Sequence, residues 1–223
     1  MSVKRYESLS PIALLESVEL DRRTVELKSA QCFFTQGDTA DSVYCLARGH
    51  AKLSVVSPKG KQTTLMLLSP GDLFGEESLT TVIAQRTVTA VAVNACTALS
   101  IKRGEMLRAM HQDPAFSDQF LSLLLMQSMR TQADLVDQKL NTSEQRLARA
   151  LLLLTKQGRQ GQPQIMVPPV TQEILAEMIG TTRSRVSFFM NRFRDLGLIN
   201  YKGRIHVHKP RLEAALVDQF AEI

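Results

Sequence analysis

The hydrophobic period of this chain changes once, at Pro114, from about two residues to between three and four. A strand pattern and a helix pattern bury their apolar residues on different geometries, so a strand-rich part and a helix-rich part must meet there. Before Pro114, from about residue 24 to 101, short runs rich in β-branched and apolar residues alternate with turn signals. The runs are Ser42 to Leu46, Ala51 to Val56, Thr63 to Leu68 and Thr87 to Ile101. The interruptions are Gln36-Gly37-Asp38, Arg48-Gly49-His50, Pro58-Lys59-Gly60 and Pro70-Gly71-Asp72. Strands so closely spaced predict a compact sandwich or barrel.

After Pro114, Leu121, Leu124, Ser128, Thr131 and Leu135 fall at helical spacing, and so do Met126, Met129, Ala133, Val136 and Leu140. Two such seams let one long helix face two bodies, its own barrel and a partner helix. The spacing leaves open which seam meets which. The run Asn141-Thr142-Ser143-Glu144-Gln145 predicts a capped helix start. That helix continues through Leu154 to near Gly158, and Gln157 to Pro169, with its Gly and Pro, reads as a loop. The expected division is residues 1–112 for an N-terminal helix and barrel, 113–140 for a dimerising helix, and 141–223 for a C-terminal domain.

In that last part Thr171 precedes Ile174, Leu175, Met178 and Ile179, an apolar helix side with a capping residue before it. Ala176 is small where a second helix must cross, and Gly180 stands at the bend. Thr181 or Thr182 caps the next helix, whose buried stripe is expected at Val186, Phe189, Phe193 and Leu196. This spacing predicts a helix-turn-helix. The outward face then holds Arg183, Ser184, Ser187, Phe188 and Asn191. Arg183 suits a guanine edge and Phe188 a thymine methyl, while Arg185, Arg192 and Arg194 suit phosphates. Tyr201-Lys202-Gly203-Arg204-Ile205 predicts a hairpin wing that brings Lys202 and Arg204 to the same polyanion.

Charge agrees. Residues 141–223 hold 12 Lys and Arg against 7 Asp and Glu, whereas residues 1–140 hold 15 of each. All the excess positive charge thus lies beside the helix-turn-helix. With 44% hydrophobic residues but no apolar run near the roughly 18 that a membrane span needs, and no signal-like start, the chain is expected to be cytoplasmic and without a membrane partner. Cys32, Cys45 and Cys96 form no CxxC pair and are expected at buried strand positions, with no disulfide, metal or iron–sulfur cluster. His206 and His208 share a hairpin face without a third ligand. No nucleophile–base pair or Walker-type loop points to an enzyme.

With these residues in place, the chain resembles the Crp/Fnr superfamily of bacterial transcription regulators from about Phe33 to His208. Beside the helix-turn-helix, Gly71-Asp72-Leu73-Phe74-Gly75-Glu76-Glu77-Ser78-Leu79 followed by Gln85-Arg86-Thr87-Val88-Thr89-Ala90 is similar to a phosphate-binding cassette of cyclic-nucleotide-binding domains. The implied fold is α+β: an N-terminal jelly-roll barrel of the cyclic-nucleotide-binding type, a long dimerisation helix and a C-terminal winged helix-turn-helix. Independent chemistry supports the cassette. Backbone N–H groups of a short helix after Gly75 suit an anion, Arg86 offers a charged fork and Thr87 a hydroxyl donor, and Glu76 can accept from a ribose hydroxyl.

The resemblance implies that Glu76, Arg86 and Thr87, with Gly75 and Glu77 beside them, hold cyclic AMP or another cyclic nucleotide. The offset of eleven residues between Gly75 and Arg86 is that of the family. Thr131 matches a position that touches adenine, and Gln132 replaces a second hydroxyl residue there. An arginine before a strand can instead pair with Glu76 or Glu77, and Thr80-Thr81-Val82-Ile83-Ala84 is apolar for an open pocket. A different effector, or none with the barrel as a scaffold, therefore stays open. An Fnr-type cluster is not expected, since no cysteine precedes Cys32, nor is a haem sensor, which wants His or Cys ligands near the cassette, where Cys96 is the nearby cysteine. Ser184 stands where well-known members use glutamate and Phe188 where arginine is common, which implies a different operator, still palindromic for a homodimer. By resemblance alone, Gln157 to Gln164 is expected to touch RNA polymerase.

Overall fold

Turn residues decide where the strands of the N-terminal part stop, and the strands pair across long stretches of sequence. The computed structural model describes residues 10–60, 62–80, 85–155, 164–167 and 170–218. Contacts divide the chain into two compact units, Met1–Gln132 and Ala133–Ile223.

The first unit begins with helix α1 (Pro11–Glu16), capped by Ser10 and started by a proline whose missing N–H is no loss there. Strands β1 (Arg22–Leu27), β2 (Cys32–Phe34), β3 (Ser42–Arg48), β4 (Ala51–Val56), β5 (Gln62–Leu68), β6 (Leu73–Phe74), β7 (Thr89–Ala92) and β8 (Cys96–Lys102) follow. A 3-10 turn, Glu76–Leu79, separates β6 from β7, and helices α2 (Arg103–Gln112) and α3 (Pro114–Leu140) follow β8. The strands form two antiparallel sheets, ordered β1-β8-β3-β6 and β2-β7-β4-β5, the sandwich that the turn spacing predicts. The run Thr87 to Ile101, however, is two strands in different sheets. The chain crosses from one sheet to the other around Asn94, whose Oδ1 accepts from the His50 backbone N–H at 2.7 Å.

Between the sheets Phe74 is fully buried, stacked on Tyr44 at 5.2 Å and edge-on to Phe33 at 5.1 Å. A second cluster covers the outer side of β3 and β8, where Leu15, Val43, Cys45, Ile101, Met106, Phe116 and Phe120 are buried. Burial pushes the Cys45 thiol up to about 12, so it behaves as a small hydrophobe. Cys96 is also buried, but Cys32 is exposed, because it begins an edge strand of its sheet.

Asp113 Oδ1 accepts from the Phe116 N–H at 3.0 Å at the start of α3. The stripe that α3 buries is Phe116, Phe120 and Leu123, with Leu124 and Gln127 half-buried. Of the two seams expected from the sequence, Leu124 packs against the sheet. The two phenylalanines ahead of Leu121 set the phase, because they fill the most volume against the sheet. Beyond Leu124 the apolar seam residues Met126, Met129, Leu135, Val136 and Leu140 are exposed, Met129 to 67% and Leu140 to 77%.

The second unit contains α4 (Ser143–Leu154), held by the capping box of Thr142 and Gln145. It ends before the position near Gly158 expected from the sequence. Strand β9 (Gln164–Met166), helices α5 (Gln172–Ile179) and α6 (Arg183–Asp195), strands β10 (Ile199–Lys202) and β11 (Arg204–His208), and helix α7 (Lys209–Asp218) complete it. The stretch expected to be all loop thus contains β9, which pairs with β11 and gives the wing three strands, ordered β10-β11-β9. The rest of the loop given to RNA polymerase, before Gln164, lies outside the described residues.

Candidate functional site

The cassette is built around a buried arginine. Gly75 adopts a left-handed conformation (φ 78°) between β6 and the 3-10 turn, and a Cβ there would stand 2.7 Å from Arg86 Nη1. Arg86 is only 2% exposed. Its Nη1 donates to Gly75 O (3.0 Å) and Glu77 Oε1 (3.1 Å), and its Nη2 donates to Ser42 O (2.7 Å). The guanidinium lies 4.1 Å from the centre of the Phe34 ring, a cation–π contact. Nε is buried without a partner. The fork expected to face an anion is thus turned into the protein, and the pairing with Glu77 is the one formed.

Above it, Gly75, Glu76, Glu77 and Thr87 line one cleft of about 450 Å³, together with Leu53, Leu79, Thr80, Val88 and Leu124. Arg86 lies outside that lining, as do Thr131 and Gln132, which are exposed. Thr131 Oγ1 donates back to Gln127 O at 3.1 Å. Thr81 to Ala84 lie outside the described residues. The sequence did not single out Gln127, whose Nε2 donates to Glu76 Oε1 at 3.2 Å. It lies one helical turn before Thr131, and that i, i+4 relation was the available signal. Burial raises the Glu76 carboxyl above its ordinary value. Its own backbone N–H and Arg86 act against this, and Glu77 adds to it.

In the second unit Thr171 Oγ1 accepts from Ile174 N (3.2 Å), and Thr182, not Thr181, caps α6 by accepting from Arg185 N (3.3 Å). Each capping hydroxyl keeps its own proton for an outside acceptor. Gly180 is left-handed (φ 66°) at the bend. Val186, Phe189 and Phe193 are buried as expected, but Met190 joins them, and Leu196 is exposed because the helix ends there and Leu198 takes the inward place. Arg183, Ser184, Phe188 and Asn191 are exposed, Phe188 to 64%, and Ser187 is half-buried. Arg183 pairs with Glu173 at 2.8 Å, both on the surface, a contact worth about 0–1 kcal/mol. Arg185 lies 5.8 Å from the Phe189 ring and Arg204 is exposed. The side chain of Lys202 lies outside the described residues.

Two residues that the sequence did not single out tie α4 to this element. Arg146 donates through Nε and Nη2 to Ile179 O, at 3.0 and 2.8 Å. Glu144 Oε2 accepts from Arg192 Nη1 at 2.9 Å, while its Oε1 is buried without a partner. Burial raises the Glu144 carboxyl, and Arg192 opposes the shift.

Residues 24–113 match the cyclic nucleotide-binding domain and residues 145–214 the Crp-like helix-turn-helix domain. The cyclic AMP receptor protein of Thermus thermophilus is 31% identical over 192 residues, covering 84% of this chain and 83% of that one. The chain belongs to the Crp/Fnr family of transcription regulators. Crp/Fnr relatives differ in what they are named for. The global nitrogen regulator of Synechococcus elongatus is 29% identical over 211 residues, covering 93% of this chain and 94% of that one. Among solved structures, a CRP-family transcriptional regulator, also of Thermus thermophilus, superposes with a TM-score of 0.73 at 25% identity, over 87% of this chain and 97% of that one. The protein is therefore a DNA-binding regulator rather than an enzyme.

Removing Arg86 leaves Glu77 and two carbonyls without their donor. Arg86→Ala is expected to lower stability by about 3–5 kcal/mol in urea unfolding; a loss near zero would show that the guanidinium does not hold the cassette. Glu76 is protonated more readily in the folded state than in the unfolded one. Its ionisation therefore weakens the fold as pH rises past about 4.3, the ordinary glutamate value, and through the raised folded value. Glu76→Gln is expected to stabilise the protein at neutral pH and to have no effect well below the ordinary value. A gain of equal size at both pH values would contradict this.

Proposed function

We propose that this Crp/Fnr regulator is a homodimer that binds a palindromic operator under control of a cyclic nucleotide, cyclic AMP foremost, held over Glu76 and Thr87. One contact carries this: Gln127 on α3 donates to the cleft carboxylate Glu76. A ribose hydroxyl donating to Glu76 competes with Gln127 and so acts directly on the long helix. Thr87 gives its hydroxyl to the phosphate, and Arg86 balances Glu77 from beneath. Thr131 and Gln132, farther along α3, meet the base. The exposed Leu125, Met129 and Val136 lie at heptad-like spacing and suit a second copy of the same helix.

In the dimer the two recognition helices lie one DNA turn apart, roughly 34 Å. Arg183, Ser184, Ser187 and Phe188 read base edges, whereas Arg185, Arg192 and Arg204 and the caps Thr171, Thr181 and Thr182 hold phosphates. An effector shifts the active geometry only by binding it more tightly, so a hundredfold change in DNA affinity needs about 2.7 kcal/mol of coupling. A second reading, a different effector or a scaffold barrel, is favoured by one observation: the Nη groups of Arg86 already have internal partners.

Calorimetric titration with cyclic AMP separates the two. Thr87→Ala is the control, because removing Arg86 would disturb the fold itself. Binding in the parent and a roughly tenfold weaker binding in Thr87→Ala are expected; no heat in the parent would leave the second reading standing. On DNA, Arg183→Ala is expected to lose about 1–3 kcal/mol on the operator and to relax its sequence preference. An equal loss on random duplex would reduce Arg183 to a phosphate contact.

A further inference from the structure

The winged-helix unit holds a second cavity, of about 470 Å³, lined by Arg194, Gly197, Ile199, Asn200, His208 and Arg211. They come from the last turn of α6, the bend after it, β10, the end of β11 and the first turn of α7. The DNA-reading face described above uses none of them except Arg194, and then only as an expectation from sequence.

Four features give the cavity one electrostatic sign. Arg211 makes no hydrogen bond or ion pair among the described residues. Its Nη1 lies 3.1 Å from where a Cβ on Gly197 would stand, and Gly197 is left-handed (φ 68°), so glycine makes room for the guanidinium. Arg194 has one weak contact, Asp195 at 3.5 Å, with both side chains at least half exposed. His208 Nδ1 is buried without a hydrogen-bond partner. Helix α7, ten residues long, starts beside it with the positive end of its dipole. Among the described residues no carboxylate lines the cavity.

We propose that this cavity binds a small phosphate-bearing anion, with Arg194 and Arg211 as charged forks and His208 as a donor in its Nδ1–H tautomer. The concavity favours a free anion over duplex DNA. A duplex phosphate sits on a convex rod and does not reach into a cavity beside a buried imidazole nitrogen. Arg194 is also about 15 Å along α6 from Ser184, toward the end of the helix that leaves the groove. The site belongs to the second unit and does not depend on what the barrel binds.

The test uses the full chain with inorganic phosphate as the probe. Thermal unfolding is followed against phosphate, with chloride at matched ionic strength, for the parent, Arg194→Gln, Arg211→Gln and Arg211→Lys. Phosphate should stabilise the parent more than chloride does. Each Gln variant should weaken the apparent affinity about tenfold, and Arg211→Lys should lose less because it keeps the charge. No phosphate effect in the parent overturns the proposal. So does an effect that survives in both Gln variants, which would place the anion elsewhere, the barrel included. The salt dependence of duplex binding gives the last arm: an unchanged slope in Arg211→Gln supports the proposal. A slope smaller by about one makes the DNA backbone the occupant and overturns it.

Discussion

A charged guanidinium closed off from water is tolerable only when its surroundings supply acceptors, and the barrel is arranged to supply them to Arg86. Gly75 O, Ser42 O and the Glu77 carboxylate meet it from three sides, with the Phe34 ring against its face. The left-handed Gly75 is part of the same solution, since any side chain there would strike the guanidinium. The arginine thereby fixes the path from β6 into the 3-10 turn and the positions of Glu76 and Glu77 at the cleft.

A polar contact joins the cleft to the long helix, from Gln127 to Glu76. The Glu76 carboxylate is poorly solvated, so it gains from each donor that approaches. Gln127 is one such donor, and the two ends of that bond lie on a cassette and on a helix that farther along exposes Met129, Leu135, Val136 and Leu140. The barrel side of α3 is anchored by Phe116, Phe120 and Leu123. On the function proposed above, a group that competes for Glu76 would act on α3 where its buried stripe ends.

What could be seen in the sequence was mostly what neighbouring residues decide among themselves. The helix-turn-helix was legible because its caps, bend and buried stripe are local: Thr171, Gly180, Thr182, Val186 and Phe189 each act within a few residues. The ends of β3, β4 and β5 were legible for the same reason. The break of Thr87 to Ile101 was not, because it follows from membership of two sheets. Nor was β9, a three-residue strand that exists by pairing with β11. The phase of α3 was set by Phe116 and Phe120 meeting a sheet, and Leu196 was released by the end of α6. The side to which Arg86 turns depended on Ser42, distant in sequence. Position along the chain identified the cassette residues; only packing decided which face the cleft.

The two hydrogen bonds from Arg146 to Ile179 O have a mechanical consequence. That carbonyl lies in the last turn of α5, where a helix ordinarily leaves its acceptors to solvent, and a cation from α4 occupies it instead. With Glu144 gripping Arg192 on α6, both members of the helix pair are bolted to the same short piece of α4. Through these contacts a movement of the start of α4 would carry α5 and α6 with it, so Glu144 and Arg146 set the leverage at the base of the pair rather than at its tip.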